Sequence, residues 1–175
     1  MSVIFERRSV RSFLPKPVEQ EKIERLLKAG FEAPSANNRR PWEFIVVTDA
    51  GDRKAIAGMS PYAKMTADAA VAIIPCADLG EGKASGEEDI WWVQDLSAAT
   101  ENILLQIVEE GLGGVWLGWH PVKSRVKAFS EHFGLPGHII PFSIIALGYP
   151  AKPSVLVNRF DPAKVHYGAY GKKSR

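Results

Sequence analysis

The residues best suited to chemistry in this chain lie at its start, where positions 7–12 read Arg-Arg-Ser-Val-Arg-Ser. A guanidinium group presents a planar fork of N–H donors that matches the oxygens of a phosphate or a carboxylate. Serine hydroxyls can complete such a site. We therefore predict that this segment binds an anionic group, while a solvated basic terminus is the alternative that the stretch alone leaves open.

Three further segments contain residue types that suit a ligand with a phosphate and a flat polar ring. They are Pro-Ser-Ala-Asn-Asn at 34–38, Gly-Gly-Val-Trp-Leu-Gly at 113–118, and Asn-Arg-Phe-Asp-Pro at 158–162. Amide side chains can bond the edges of a ring, glycines permit close backbone approach, and Arg159 adds a cation. Each segment alone is a weak signal, since Gly113 and Gly114 also suit a helix stop and Arg159 also suits a surface.

The sequence lacks the patterns of several common catalytic centres. The histidines at positions 120, 132, 138 and 166 are not spaced as metal ligands, so no metal site is predicted. Nucleophile-elbow, Walker and dinucleotide-binding glycine motifs do not occur. Cys76 lies in an apolar run without a charged neighbour, which favours a buried structural thiol over a nucleophile.

Length and composition indicate a globular protein with one domain over residues 1–175, with 46% hydrophobic and 24% charged residues. The formal net charge of +2 is too small to indicate a nucleic-acid or membrane partner. No apolar stretch reaches the roughly 18 residues that a membrane span needs. The single cysteine and the absence of a signal-peptide pattern predict a cytoplasmic protein.

Helical and extended patterns alternate along the chain. Apolar periodicity predicts helices over 18–31, 91–110 and 123–133, with shorter ones near 52–59 and 61–66. Aromatic and β-branched runs predict strands over 42–48, 69–76, 115–118 and 139–147. Pro75 predicts an edge or an end for the second strand. The alternation without an internal repeat predicts an α/β or α+β fold with a mixed sheet.

Three regions bear on how the site is assembled. The helix over 91–110 is apolar around much of its circumference, which predicts burial from several sides and is compatible with a subunit interface. The segment 78–88 is rich in glycine, serine and acidic residues and is the predicted mobile loop. From Ala151 onward the sequence has little periodicity, which is typical of a surface coil and equally of an arm lying on a partner.

The order of these motifs resembles the FMN-dependent nitroreductase family, with the closest likeness to its short members. The shared motifs are Arg-Arg-Ser-x-Arg, Pro-Ser-x-x-Asn-x-x-Pro-Trp before a strand, a glycine-rich turn after the long helix, and Arg-Phe-Asp-Pro. The likeness extends from about residue 3 to residue 170. It implies an α+β homodimer with a mixed central sheet flanked by helices, an exchanged C-terminal arm, and FMN bound at the subunit interface.

The resemblance also implies roles for individual residues. Arg7, Arg8 and Ser9 match positions that hold the FMN phosphate and ribityl chain, and Arg159 matches a C-terminal phosphate contact. Arg11 matches a basic position near the pyrimidine edge of the ring, where a fixed cation stabilises the charge of the reduced flavin. The loop contributed by the second subunit is matched by Pro34, Ser35, Ala36 and Asn38. The turn whose backbone amide approaches flavin N5 is matched by Trp116, Leu117 and Gly118.

The implied activity is an FMN-dependent NAD(P)H oxidoreductase that reduces nitroaromatic or quinone-like acceptors by ping-pong hydride transfer through flavin N5. No side chain is expected to act as acid or base, because the flavin carries the chemistry. The alternative is a flavin-binding protein without turnover, such as an FMN carrier or sensor. Trp91 and Trp92 are expected either at the mouth of the cleft, stacking on flat substrates, or as a core and interface pair.

Two positions depart from the family pattern. Arg40 stands before the Pro-Trp pair, where the family usually has Gln, and Asn158 stands before the C-terminal arginine, where Lys is frequent. The first adds a cation beside the loop at 34–38, and the second removes a phosphate cation.

Overall fold

A β-sheet with helices on both faces supports the fold. The structure is a computed structural model that describes residues 2–80 and 90–173. The helices in these ranges are α1 (Val3–Glu6), α2 (Gln20–Phe31), α3 (Ala50–Gly58), α4 (Trp91–Glu109) and α5 (Lys123–Phe133). The strands are β1 (Trp42–Val47), β2 (Val71–Asp78), β3 (Gly113–Gly118), β4 (Ile139–Pro141) and β5 (Ser143–Gly148).

The predicted elements are confirmed to within a few residues, with two differences. The predicted strand over 139–147 is broken at Phe142 into β4 and β5. The predicted helix near 61–66 is a short 3-10 turn over Lys64–Ala67. The predicted mobile loop at 78–88 falls mostly outside the described residues. No helix in the described ranges is long and apolar enough to cross a membrane.

The strand order is β1-β2-β5-β3, with β4 pairing with β2 beyond the end of β5. The predicted α+β class is confirmed, but every ladder between the described strands is antiparallel, so the sheet is not mixed. Strands β2 and β3 run in the same direction, yet β5 lies between them and keeps all direct neighbours antiparallel. The parallel pairing that the described residues do contain is an isolated bridge between Ser9 and Gly114.

Strand β2 separates two core layers because its successive side chains point to opposite faces of the sheet. Ile74 and Cys76 pack in the layer that contains Ile56 of α3 and Phe129 of α5. Ile73 packs in the opposite layer, which α2 and α4 cover. Strand β2 is therefore buried on both faces of the sheet.

Pro75 lies inside β2, so the prediction of an edge or an end at this proline is wrong. On one side β2 pairs with β1 along the whole length of β1. On the other side it pairs with β5 up to Ile73 and with β4 from Cys76. The carbonyl of Pro75 accepts a hydrogen bond from Phe142, between β4 and β5 (2.9 Å). The N–H that proline lacks therefore falls where the ladder changes partner.

Helix α4 lies against the sheet, and α1, α2 and the turn at 36–38 contact its remaining surface. Its buried residues are Trp92, Asp95, Leu96, Ala99, Thr100, Ile103, Leu104 and Ile107. The predicted burial from several sides is thus confirmed within a single chain. The subunit interface along this helix stays a prediction.

Candidate functional site

Backbone hydrogen bonds hold the N-terminal segment between β3 and the chain that leaves β5. Val10 donates to the carbonyl of Gly114 (3.0 Å), beside the parallel bridge of Ser9. On the other side, the N–H of Ala151 donates to the carbonyl of Ser12 (2.9 Å). These bonds fix the arginine cluster next to strand β3.

Two of the three glycines in β3 serve packing. A Cβ at Gly113 would lie 2.7 Å from Cγ2 of Val10, and a Cβ at Gly114 would lie 2.9 Å from Cδ1 of Ile107. No atom of the described residues lies within 4 Å of the Cβ position at Gly118. Of the predicted close backbone approaches to a ligand, the structure therefore leaves room for the one at Gly118.

A cleft of about 270 Å³ lies between the N-terminal segment and the start of the C-terminal arm, which we define as residues 151–173. Within the described part of the chain its polar lining consists of Arg8, Ser9, Arg11, Ser12, Lys152 and Ser154, and none of these is a carboxylate. We call this space the anion cleft, because three cations and three hydroxyls match the oxygens of a phosphate. The structure thus places Arg8, Ser9 and Arg11 on one cleft, and their binding of an anion stays a prediction.

Arg8 makes most of its hydrogen bonds to backbone carbonyls. Its Nε donates to Val155 (3.0 Å) and its Nη2 to Val157 (3.3 Å), while its Nη1 donates to Phe5 (3.0 Å) and Arg7 (2.7 Å). A guanidinium has five N–H donors, so these four bonds leave one donor and the positive charge for an anion. The predicted contact of Arg8 with a phosphate stays a prediction.

The other predicted arginines have different surroundings. Arg7 pairs with Glu101 of α4, with 3.0 Å between Nε and Oε1. Arg11 is exposed, and its Nη1 donates to the carbonyl of Ser9 (3.2 Å). Arg159 lies on the exposed arm, and it is not among the residues that line the anion cleft.

The loop before β1 contains four of the predicted cofactor contacts: Pro34, Ser35, Ala36 and Asn38. It is anchored to α4 by the N–H of Ala36, which donates to the buried carboxylate of Asp95 (2.9 Å). Asn38 has a φ of 54°, a left-handed conformation that asparagine tolerates better than most residues. Arg40 donates through Nε to Oδ1 of Asn38 (2.9 Å), and its N–H donates to Oγ of Ser35 (3.0 Å). The added cation at position 40 therefore braces the loop itself.

Helix α4 links the two parts of the candidate site. Asp95 anchors the loop, and Glu101 pairs with Arg7 about 9 Å further along the helix axis. Within one chain, the loop and Arg7 thus contact different stretches of this helix. Sequence reasoning missed Asp95, although a carboxylate inside an apolar helix stripe is a signal that could have found it.

The end of β3 presents its backbone rather than its side chains. Leu117 is buried in the layer of α3 and α5, and Trp116 packs edge-on against Phe142 (5.8 Å between ring centroids). Gly118 is exposed. A contact between this segment and a flavin, as predicted, therefore has to use backbone groups near Gly118.

The two neighbouring tryptophans have different environments. Trp92 is buried, and its ring packs edge-on against Phe142 (6.1 Å) and His120 (4.7 Å), which matches the core alternative. Trp91 is 50% exposed, so it keeps a ring face for a flat molecule. Burial lowers the pKa of His120 below the ordinary value of 6.5, because the protein interior disfavours the imidazolium. His120 is therefore neutral at physiological pH.

Comparison with known proteins extends the resemblance over almost the whole chain. The sequence matches the nitroreductase family over residues 4–61 and 57–149. A protein of Methanothermobacter thermautotrophicus, named "Putative NADH dehydrogenase/NAD(P)H nitroreductase", is 42% identical over 166 residues, which cover 95% of this chain and 85% of that protein. A crystal structure under the same name from Bacteroides thetaiotaomicron has a TM-score of 0.89 at 42% identity and covers 96% of both chains. An "FMN-dependent Nitroreductase" from Clostridium difficile has a TM-score of 0.87 at 29% identity, covering 97% of this chain and 99% of that one.

Proposed function

The chain belongs to the nitroreductase family, and from that premise we propose that it is an FMN-dependent NAD(P)H oxidoreductase. Its acceptors are small, flat nitroaromatic or quinone-like molecules, and NADH or NADPH is the electron donor. The observation that carries the proposal is the anion cleft, where Arg8, Arg11 and Lys152 converge and no carboxylate of the described residues lines the walls. Arg8 and Arg11 are two of the four arginines that the family resemblance relates to FMN, together with Arg7 and Arg159.

The residues of the N-terminal segment fit FMN in charge and in donor chemistry, with Arg8 and Ser9 towards the phosphate and Arg11 towards the ring. Arg11 uses one N–H on the carbonyl of Ser9, which leaves four donors of its fork for a ligand. Ser9 is exposed, and its hydroxyl lines the same cleft. Arg7 has Glu101 as a partner, so its charge is partly compensated before any anion binds. These differences predict unequal contributions of the arginines to FMN affinity.

When bound, FMN supplies the hydride chemistry of both half-reactions, which follow a ping-pong order through its N5 atom. The residues of this chain bind FMN, orient its ring and polarise it. Arg11 would place a positive charge beside the pyrimidine edge of a bound flavin, and no described atom lies within 4 Å of the Cβ position of Gly118, where the backbone would approach the ring. No side chain of this chain acts as acid or base in the hydride step.

The active form is a homodimer in which the loop with Pro34, Ser35, Ala36 and Asn38 reaches the cofactor of the partner subunit. The exposed apolar side chains of α1 and the arm support this proposal: Ile4, Phe5, Val155, Leu156, Val157 and Phe160. Apolar groups clustered on two adjacent terminal segments are typical of an interaction surface. Exchange of the part of the arm beyond Val157 between subunits would bring two such surfaces together and cover them, and it would let Arg159 reach a phosphate.

The proposal is tested by purifying the protein, identifying its flavin and following NADH and NADPH oxidation with nitrofurazone or menadione as acceptor. A yellow protein that releases FMN and turns over is the expected result. Flavin-free protein and free FMN are the controls for background oxidation, and reconstitution of the flavin-free protein with FMN should restore turnover. Bound FMN that neither nucleotide reduces would refute the oxidoreductase and leave the carrier or sensor as the function.

The dimer is tested by sedimentation at micromolar concentration. We expect one species near twice the chain mass of 19.3 kDa. A monomer that retains FMN would contradict the site between subunits. A cytoplasmic location is part of the same proposal, since the single cysteine suits a reducing compartment.

A further inference from the structure

The start of the C-terminal arm is attached to the N-terminal segment at two points. The N–H of Ala151 donates to the carbonyl of Ser12 (2.9 Å). Four residues later, Nε of Arg8 donates to the carbonyl of Val155 (3.0 Å). The stretch between these points contains Lys152 and Ser154, and both line the anion cleft. The two attachments therefore fix the positions of Lys152 and Ser154, which form the arm side of the cleft.

Arg8 has the geometry of a clamp. It contacts Val155 and Val157, whose carbonyls point to the same side of an extended chain. The same guanidinium donates to Phe5 and Arg7, so one planar group ties the arm to the end of α1. The arm side of this clamp is 147 and 149 residues away in sequence.

Beyond Val157 the hydrogen bonds of the described arm residues stay within the arm. Phe160 donates to the side chain of Asn158, and Gly171 donates to Nδ1 of His166. The rings of His166 and Tyr170 stack at 4.5 Å. Arg8 is thus the side chain that fixes the first part of the arm to the body of this chain.

We propose that Arg8 is a positioning residue, which holds the arm so that Lys152 completes the anion cleft as an additional phosphate-binding cation. This inference rests on the proposed function, because it takes the anion to be the phosphate of FMN. In this arrangement, Lys152 and Ser154 form the side of the cleft that faces Ser9 and Arg11. Arg8 acts through the arm, and Lys152 acts on the phosphate directly.

The substitution Arg8→Lys separates this role from a direct charge effect. Lysine keeps the positive charge, but a single ammonium cannot span the carbonyls of Val155 and Val157 together with those on α1. Arg8→Gln removes the charge and keeps a planar pair of N–H donors. If Arg8 acts as a clamp, Arg8→Lys should lower the affinity for FMN at least as much as Arg8→Gln does. If Arg8 acts as a phosphate cation, Arg8→Lys should lower that affinity less than Arg8→Gln.

The state of the arm is measured on flavin-free protein with thermolysin, which cleaves before large apolar residues such as Val155 and Leu156. We expect Arg8→Lys to raise the rate of cleavage in the arm by about tenfold, since hydrogen bonds from a charged donor are lost. Arg25→Lys is the matched control. Arg25 also donates through two nitrogens, from Nε and Nη2 to the carboxylate of Glu110 (2.6 and 2.8 Å), and both residues are far from the arm in sequence. Wild-type cleavage in Arg8→Lys would overturn the clamp.

The link to the cleft is measured by comparing the affinities for FMN and riboflavin, which differ by the phosphate. We expect Arg8→Lys and Lys152→Met each to lower the affinity for FMN by about tenfold and the affinity for riboflavin by less than about twofold. Lys152→Met should leave arm cleavage unchanged. The double variant should be little worse than either single one, because both remove the same contact.

The remaining outcomes also decide the matter. Unchanged FMN affinity in Lys152→Met overturns the role of this lysine, and additive losses in the double variant overturn the route through the arm. If Arg8→Lys does not fold, thermolysin cleavage of Arg8→Gln against wild type tests the clamp instead. If the wild-type protein binds neither flavin, the proposed function fails, while the cleavage rates still decide whether Arg8 holds the arm.

Discussion

Replacing Gly113 by alanine tests how the N-terminal segment is docked on β3. The new Cβ would lie 2.7 Å from Cγ2 and 2.8 Å from both Cβ and Cγ1 of Val10. Valine is short and branched at Cβ, so these atoms cannot rotate away, and the backbone around Val10 has to move. The hydrogen bond from Val10 to Gly114 and the neighbouring bridge of Ser9 would be strained with it.

The expected loss follows from the number of close contacts. Overpacking costs about 1–3 kcal/mol, and three atoms inside 2.8 Å place this case near the upper end. The stiffer unfolded chain of an alanine variant offsets about 0.4–1 kcal/mol. We therefore expect Gly113→Ala to lower the free energy of unfolding by about 2 kcal/mol and Tm by about 4–8 °C.

The assay is denaturant unfolding of flavin-free protein, followed by titration with FMN. Val10→Ala removes two of the three contacting carbons, so it should restore part of the lost stability in the double variant, with a coupling of about 1 kcal/mol. Gly118→Ala is the control on the same strand, because nothing lies within 4 Å of its Cβ position, and its unfolding free energy should change by less than about 0.5 kcal/mol. Wild-type stability in Gly113→Ala, or an equal loss with and without Val10, would refute the reasoning.

Three further predictions follow from single residues. Burial lowers the pKa of His120, so the unfolded chain binds its proton at higher pH than the folded chain, and stability falls as the pH drops below the ordinary value of 6.5. His120→Phe should reduce that loss between pH 7.5 and pH 5.5 in denaturant unfolding, and an unchanged pH dependence would contradict it. Burial raises the pKa of Cys76 to about 12, so a thiol reagent at pH 8 should label one cysteine per chain after unfolding and essentially none before; rapid labelling of folded protein is the contrary result. Arg11→Ala should lower the reduction potential of bound FMN and slow its reduction more than it weakens FMN binding, because a cation near the ring stabilises the reduced form; a loss of affinity alone would make Arg11 a phosphate or structural residue.

Local sequence patterns were sufficient to place the helices and most strands. The apolar spacing of Ile23 and Leu26 predicted α2, and both side chains are buried. Strand direction and pairing were not predictable in the same way, since they depend on which strand fills the space between β2 and β3. Pro75 shows the limit: its residue type indicates an interruption, but the partner strand is the one that is interrupted.

The candidate site was predictable where residue type alone indicates chemistry. The arginines and serines at 7–12 predicted an anion site, and a cleft lined by Arg8, Ser9 and Arg11 is present. Lys152 was not predictable, because its place in the cleft depends on contacts between the two ends of the chain. The carbonyl partners of Arg8 and the pairing of Arg7 with Glu101 are tertiary contacts of the same kind.

The N-terminal segment is held by residues 149–157, and this has a consequence for biosynthesis. Leu14 donates to the carbonyl of Tyr149 (2.8 Å), and Arg8 donates to the carbonyl of Val157, which lies 149 residues downstream. At about 5–20 residues per second, a ribosome needs roughly 7–30 s to deliver that partner. Until residues 152–155 are made, the arginine cluster lacks one wall of the anion cleft. A nascent chain that ends before Lys152 therefore does not form the anion cleft.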